Sequence, residues 1–382
     1  MAVPTDGRAE RQLPLAGIRV LEIGQVISGP YAGLLLADLG AEVTKVEPPG
    51  TGDSTRNPAV TAMGGKSATF LTLNRNKRSI CLDLRDPADQ ATLRSEVAAS
   101  DVVLSNMVPG TATRLGVDPE TLSAVNPAVI VCRVLGFRAD HPLVDEPSFD
   151  LTHQALNGYM TMGGLPGDPP SRVPIPIADL AVAQFAVNAI LAALFNRQRT
   201  GLGEHIDVPM SDVLLSLLTY QATLYLNQGD VPERLGSAHP HTIPWQAFAA
   251  SDGHFVVAVR SHRFWERLCT AIGRSDLLSD DRFTTNPDRL AHRVDLDKIL
   301  ADAFAERTVR AWLELLRVAG VPSAPVRDIG EALQAEVDAD SPLIQEFEDP
   351  DLGPVKVVGN PIRFTRMQVA RPAAAPRLGE HS

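Results

Sequence analysis

Residues 20–47, VLEIGQVISGPYAGLLLADLGAEVTKVE, constrain what this chain can fold into more than any other stretch. An apolar run from Val20 ends at Gly24, a helical pattern covers about Pro30 to Leu39, and a second apolar run ends at Glu47. Pro30 suits a helix start, because the first turn has no use for the N–H that proline lacks. This is the outline of a βαβ unit of the dinucleotide-binding kind. The glycines depart from it. That fingerprint needs G-x-G-x-x-G, whereas Gly24 is followed by Gln25, Val26, Ile27 and Ser28 before Gly29. Without the second glycine the backbone cannot approach a pyrophosphate as nicotinamide-binding folds require. The turn is either plain connection or a modified contact for phosphate or nucleotide.

The alternation continues. Strands are expected at Arg78–Leu84, within DVVLSN and within PAVIVCRVLGF, with a helix opening at Asp86-Pro87 and running to about Ala99. Strands alternating with helices at this spacing predict an α/β fold with a parallel sheet. A long buried helix follows Asp179 and closes at Gly201, then come a short strand, EHIDV, and a helix from about Met210 to Leu226. Gly, Pro and His cluster at 227–245, which marks a boundary. Beyond it AFAASDGHFVVAV reads as a hairpin around Asp252-Gly253, leading into a separate α+β module. The α/β rhythm resumes near 320, GPVKVVGNPIRFT adds late β structure, and the closing ARPAAAPRLGEHS reads as a flexible tail.

At 382 residues, 44% of them hydrophobic, the chain suits two domains with a sizeable core. A net charge of -11 opposes binding to nucleic acid or to anionic membrane. Cys81, Cys132 and Cys269 lie far apart without CxxC spacing, so buried thiols are expected rather than disulfides or zinc. The first residues lack a signal-peptide core, and the most apolar runs are interrupted by polar residues, which together suggest a cytoplasmic protein with no membrane partner.

Four features could carry chemistry. The 24–30 turn opens a helix, whose first N–H groups favour anions. NRNKRSICLDL places Asn74, Arg75, Asn76, Lys77 and Arg78 before a strand, either as a phosphate clamp or as solvated surface cations. SNMVPGTATRLG sets Asn106 and Met107 at a strand end and Arg114 on the next helix, near where open α/β sheets bind ligands. In VPIPIADLAVAQ, Asp179 sits where an extended segment meets the long apolar helix. It is either an N-cap or a carboxylate kept ionised by the helix dipole and able to act as a nucleophile. His239 and His241 lack a legible third metal ligand, so no metal site is expected, and no GxSxG elbow occurs.

These pieces in order resemble the class III CoA-transferase family, which includes formyl-CoA and carnitine CoA-transferases and the related α-methylacyl-CoA racemases. The resemblance runs from about residue 13 to 366 and rests on LPLAGIRVLEIGQVISGPYAGLLLADLGAEVTKVEPPGTGDSTR, NRNKRSICLDL, DVVLSNMVPGTATRLG, FDLTHQALNGYMTMGG, TGLGEHIDVPMSDVLLSL, DGHFVVAV and AGVPSAPV. It implies a large Rossmann-like CoA-binding domain built from both chain ends, a smaller inserted domain, and an interlocked homodimer. On this chain the expected domains are 1–226, 227–325 and a return to the large domain over 326–382. Asp179 matches the catalytic aspartate, which forms an aspartyl anhydride and then an aspartyl-CoA thioester. Ile27, Ser28, Asn74, Arg75, Asn76, Lys77, Asn106, Met107 and Arg114 match positions lining CoA. The substrates implied are an acyl-CoA and a small carboxylic acid, with no tightly bound cofactor. Pro48 replaces an arginine, and Met107 a lysine, that some transferases carry. The racemases pair their aspartate with a histidine where this chain has Phe149, which cannot move a proton. The transferase reading is therefore favoured over a racemase using Asp179 in acid–base chemistry.

Overall fold

The computed structural model describes residues 12–59 and 61–382. Strands β1 (Arg19–Ile23), β2 (Glu42–Glu47), β3 (Lys77–Cys81), β4 (Val102–Ser105), β5 (Ile130–Leu135) and β6 (Glu204–Pro209) form one sheet. Its spatial order is β3-β2-β1-β4-β5-β6, and every neighbouring pair is parallel. The chain adopts the expected α/β class. The central strands β1, β4 and β5 are buried over most of their length because helices cover both faces. β4, VVLS, is buried at all four positions.

One face carries α1 (Ser28–Asp38) and the long α5 (Ile177–Thr200), which pack side by side against the strands. The other carries α2 (Pro87–Ala98) and α3 (Pro119–Val125), over a core including Ile23, Leu93, Val103 and Val131. Burying one such aliphatic side chain stabilises the fold by roughly 1.5–3 kcal/mol. Between these, α4 (Asp150–Leu156) lies against α5 and the following α6 (Met210–Leu217). Contrary to the expectation from its interrupted apolar runs, α5 is long and apolar enough by length and composition to cross a bilayer. Its Val182, Ala183, Ala186 and Ile190 are instead spent on the core. The single helix expected over 210–226 is two, because Thr219 adopts a left-handed conformation (φ 50°) between Met210–Leu217 and Tyr220–Gln228.

The order of strands reverses between β1 and β4, and there the carboxyl ends of neighbouring strands diverge into a crevice. The floor of this region is an ionic cluster inside the sheet. Glu22 lies directly opposite Lys45 across the β1–β2 pair. Lys45 Nζ meets Glu22 at 2.8 Å and Asp53 at 2.9 Å, and Lys77 Nζ meets Glu22 at 2.7 Å, with all these side chains fully buried. Burial alone would raise the Glu22 pKa, but the two ammonium groups outweigh it and hold the carboxyl below its usual range. Gly33 is needed beside them, since a Cβ there would collide with the buried Glu22 carboxylate.

By compactness the chain forms two units. The first gathers residues 12–157, 173–223 and 340–382; the second gathers 158–172 and 224–339. The second has its own antiparallel sheet, in which the expected hairpin β7 (Trp245–Ala249) and β8 (His254–Ala258) is joined by β9 (Ser323–Pro325). Trp265, Phe255, Phe283, Phe304 and Trp312 fill its core. Residues 326–339, expected with the return to the large domain, group by compactness with the second unit, and the N–H of Val326 bonds to the His254 carbonyl. The excursion 158–172, not foreseen, is tied into this unit by Arg234, which donates to the carbonyl groups of Thr161 and Asp168.

The C-terminal residues are not a free tail. His381 N–H bonds to the Ser79 carbonyl at 2.9 Å, and Cys81 N–H to Ser382 Oγ at 2.8 Å. β3 is the edge of the sheet, so its outward backbone groups need partners, and the chain end supplies them.

Candidate active site

The β1–α1 turn is held from two sides. Lys45 Nζ donates to the Gly24 carbonyl at 2.7 Å, and the N–H of Val26 reaches the Asp53 carboxylate at 3.3 Å. From the other side Asn106, just past β4, accepts from Gln25 N–H at 3.0 Å and donates to the Gln25 carbonyl at 2.8 Å and to Ser28 Oγ at 3.2 Å. Val26 sits at φ 70°, a left-handed conformation that a β-branched residue adopts only when its surroundings impose it. No side chain caps α1. Its first N–H groups therefore remain donors facing the crevice end of the sheet.

Asp179 is the third residue of α5, not its N-cap. The capping is done from α4: Asp150 Oδ1 accepts from Ala178 N–H at 2.9 Å, while Oδ2 accepts from Gln154 Nε2 at 2.8 Å. Gln154 is fixed in turn by Val173 N–H, at 2.8 Å. With the helix end satisfied, the Asp179 carboxylate is free to face a cleft of about 280 Å³. Burial, then the negative charge of Asp150, push its pKa up to about 6, against a hydrogen bond from Ser28 that favours the charged form. At pH 7 roughly nine-tenths of it is still ionised. Among the described residues lining this cleft, Asp179 is the only charged one. A lone carboxylate with a raised pKa in a largely apolar cleft can accept a proton or attack a carbonyl carbon.

A second cleft, of about 490 Å³, shares Gly24, Gln25 and Met107 with the first and runs over the ends of β2 and β3. Arg114 and Arg85, both exposed, stand in its wall. Arg114 donates to Thr111 Oγ1 at 2.9 Å, and Arg85 is paired with Asp83 at 3.0 Å. Together the clefts form a path from two guanidinium groups to Asp179.

The structure brings together Ile27, Ser28, Asn106, Met107 and Asp179 in the first cleft, and Met107 and Arg114 in the second. It does not bring Asn74, Arg75, Asn76 or Lys77 to either. Lys77 starts β3, at the opposite end of the strand from the clefts, and its ammonium is spent on Glu22, the Pro30 carbonyl (2.8 Å) and Asn74 Oδ1 (3.0 Å). Arg75 pairs with Asp38 at 2.7 Å, and Asn76 donates to the same carboxylate at 3.0 Å. The phosphate clamp expected at 74–77 is thus corrected to an internal ionic brace. Arg85 is the residue that sequence reading passed over, as were Lys45, Asp53 and Asp150. Glu22 and Lys45, opposite charges inside two consecutive apolar strands, were the available signal.

Phe149 lines the cleft, so no titratable group stands at the position where a racemase would carry histidine. His153 is fully buried, with Nδ1 3.2 Å from Ser211 Oγ, and burial lowers its pKa. The described residues hold no group of three potential metal ligands. Cys132 and Cys269 are buried free thiols pushed up to about 12.

The family model for CoA-transferase family III matches residues 15–382. A succinate–glutarate CoA-transferase of Agrobacterium fabrum is 34% identical over 377 residues, covering 97% of this chain and 94% of its own. An acetyl-CoA:oxalate CoA-transferase of Acetobacter aceti is 36% identical over 373 residues, covering 96% and 93%. The crystal structure of a CAIB/BAIF family protein from Brucella suis superposes with a TM-score of 0.83 at 34% identity, covering 96% of this chain and 97% of that one. The family match spans nearly the whole chain, and the chain belongs to CoA-transferase family III.

Proposed function

We propose that the chain moves CoA from a short acyl-CoA to a small carboxylic acid through covalent intermediates on Asp179. The observation that carries this reading is that Asp179 is the only charged side chain among the described residues lining its cleft. Its carboxylate attacks the thioester carbonyl, the C–S bond breaks, and CoA leaves as the thiolate from an aspartyl anhydride. The thiolate then attacks the Asp179 carbonyl and expels the donor acid, leaving an aspartyl-CoA thioester. The acceptor carboxylate attacks that thioester and again releases the thiolate. Attack of the thiolate on the acceptor's acyl carbon forms the new acyl-CoA and restores Asp179. No proton is gained or lost, so the site needs no acid–base partner. Arg85 and Arg114 are suited to the CoA phosphates, and the first cleft to the acyl end. Both relatives named above act on short dicarboxylic acids, and we take that class for the acceptor here.

In the same reading the chain works as an interlocked homodimer in the cytoplasm, with its first unit as a Rossmann-like CoA-binding domain and its second as the smaller inserted one. Support comes from large apolar side chains left exposed on a single copy, such as Phe195 and Leu226 at 65% and 78%, and from the unpaired cysteines.

The test is to incubate the protein with succinyl-CoA or acetyl-CoA, quench, and map the adduct, with hydroxylamine capture in parallel. Label at Asp179 is expected in the wild type. Asp179→Ala is expected to fold and to lose both label and CoA transfer. Full transfer by Asp179→Ala would refute the assignment, and rapid entry of solvent deuterium at Cα of a 2-methylacyl-CoA would support the racemase reading instead.

A further inference from the structure

Glu47 ends β2 in the wall of the second cleft, and its buried carboxylate is filled with donors. Oε1 accepts from Arg56 Nη2 and from Ser79 Oγ, each at 2.6 Å. Oε2 accepts from Arg56 Nε at 2.7 Å and from Asp53 N–H at 2.9 Å. Two of these donors are themselves held by residues 320 and 300 positions further along the chain. Arg56 Nη1 donates to the Pro376 carbonyl at 3.1 Å, and Gly379 N–H donates to Ser79 Oγ at 3.0 Å. A backbone N–H only donates, so Ser79 accepts from Gly379 and its single proton goes to Glu47. Leu378, between the two anchors, closes on the Gly52 backbone. A Cβ on Gly52 would fall 2.9 Å from Leu378 Cδ1, 2.9 Å from Glu47 Oε2 and 2.8 Å from Arg56 Cδ. Residues 376–379 therefore grip the 48–53 loop from outside.

From Asp53 the connection reaches the β1–α1 turn. Asp53 is fully buried, with its N–H held by Glu47. Its carboxylate meets Lys45 Nζ at 2.9 Å and accepts from Val26 N–H at 3.3 Å. The left-handed Val26 (φ 70°) keeps that conformation only while its partners stay in place. Val26 lines the first cleft beside Asp179, and Gly24 and Gln25 line both clefts.

We propose that residues 376–382 are a positioning strap for the acyl-CoA site, acting through Arg56, Ser79, Glu47 and Asp53 on the β1–α1 turn. The inference rests on the CoA-transfer reading and extends that site to a segment lining neither cleft. Ser79 and the strap act through other residues and are positioning residues. Asn106 and Lys45 hold the turn independently, so the strap biases the conformation of the turn rather than creating it. A looser strap leaves the turn competent for only part of the time, and apparent affinity falls by that fraction. The coupling is reciprocal: whatever the strap does for CoA binding, bound CoA does for the strap.

Two measurements on the whole protein test this. Hydrogen exchange is followed in the wild type with and without saturating CoA. CoA is expected to slow exchange at residues 24–30 and, severalfold, at 376–382, while the strand Gly353–Val358 of the same unit changes little. In steady-state kinetics with succinyl-CoA or acetyl-CoA, whichever the wild type uses, Ser79→Ala is expected to raise KM by roughly 5- to 20-fold with a much smaller change in kcat. Deleting residues 379–382 should raise KM by a similar factor. The two changes combined should do little more than either alone, because both cut the same line of bonds. Protection of residues 24–30 without protection of 376–382 would overturn the strap, and this result stands even if Ser79→Ala does not fold. An unchanged KM in Ser79→Ala, or effects of the two changes that multiply, would overturn it as well. Failure of CoA to slow exchange at 24–30 would instead refute the placement of CoA in these clefts, and the strap would fall with that reading, so the two failures are distinct.

Discussion

Asp179→Asn is expected to stabilise this CoA-transferase while abolishing its chemistry. The carboxyl ionises at about 6 in the folded protein rather than at its ordinary 3.8, first because burial disfavours the charge and then because Asp150 adds a like charge nearby. In the unfolded chain the same group ionises at its ordinary value, so wherever both states are charged the folded one is penalised. The sign follows from the folded pKa being the higher one. Below about pH 3 both states are protonated and the penalty vanishes; it grows from there to about pH 6 and is nearly constant above. The displacement corresponds to at most about 3 kcal/mol. Asp179 is only half-buried, and solvent screening lowers this to about 1–2 kcal/mol. Asparagine is neutral, similar in shape, and can still accept the Ser28 proton. Urea unfolding of wild type and variant should show a gain of about 1–2 kcal/mol at pH 8, roughly half of it at pH 5, and about a fifth at pH 4. No gain at pH 8, or a gain that persists unchanged at low pH, would refute the reasoning.

Two further outcomes are expected. Lys45→Met leaves Glu22 without one of its two cations and Asp53 without its lysine, and should cost roughly 3–5 kcal/mol in denaturant unfolding, since half of a buried ion pair is worse than none; a loss below about 1 kcal/mol would show the cluster to be dispensable. Arg85→Ala and Arg114→Ala should each raise KM for the acyl-CoA by about tenfold with kcat nearly unchanged, because these groups are assigned to binding far from the reacting carbon; equal losses in kcat would contradict that assignment.

The fold class was legible because it depends on local pattern. VLEIG, EVTKVE, DVVLSN and PAVIVCRVL are short apolar runs separated by helical spacing, and only a parallel sheet covered on both sides accommodates them. Asp179 was legible as a carboxylate at a helix start, but its freedom from capping was not. That depends on Asp150, 29 positions earlier, whose own carboxylate reaches the Ala178 N–H. The 74–77 cations were misread because composition cannot distinguish a surface loop from the buried first residue of an edge strand. Lys77 meets Glu22 only once β3 is placed beyond β2 in the sheet. The C-terminal residues read as a tail for the same reason: their small and polar side chains bury little, and what holds them is the unsatisfied backbone of β3.

The chain by itself determined its alternation of strands and helices, its family likeness and the identity of its one poised carboxylate, because periodicity and residue type are properties of contiguous sequence. Tertiary structure alone decided which charges are buried in pairs and which face the clefts, and it alone brought Asn106, Ser28 and Asp179 to one cleft, with Asn106 donating to Ser28. Those three residues come from three separate elements, and a hydrogen bond's direction is set only when both of its partners have been put in place.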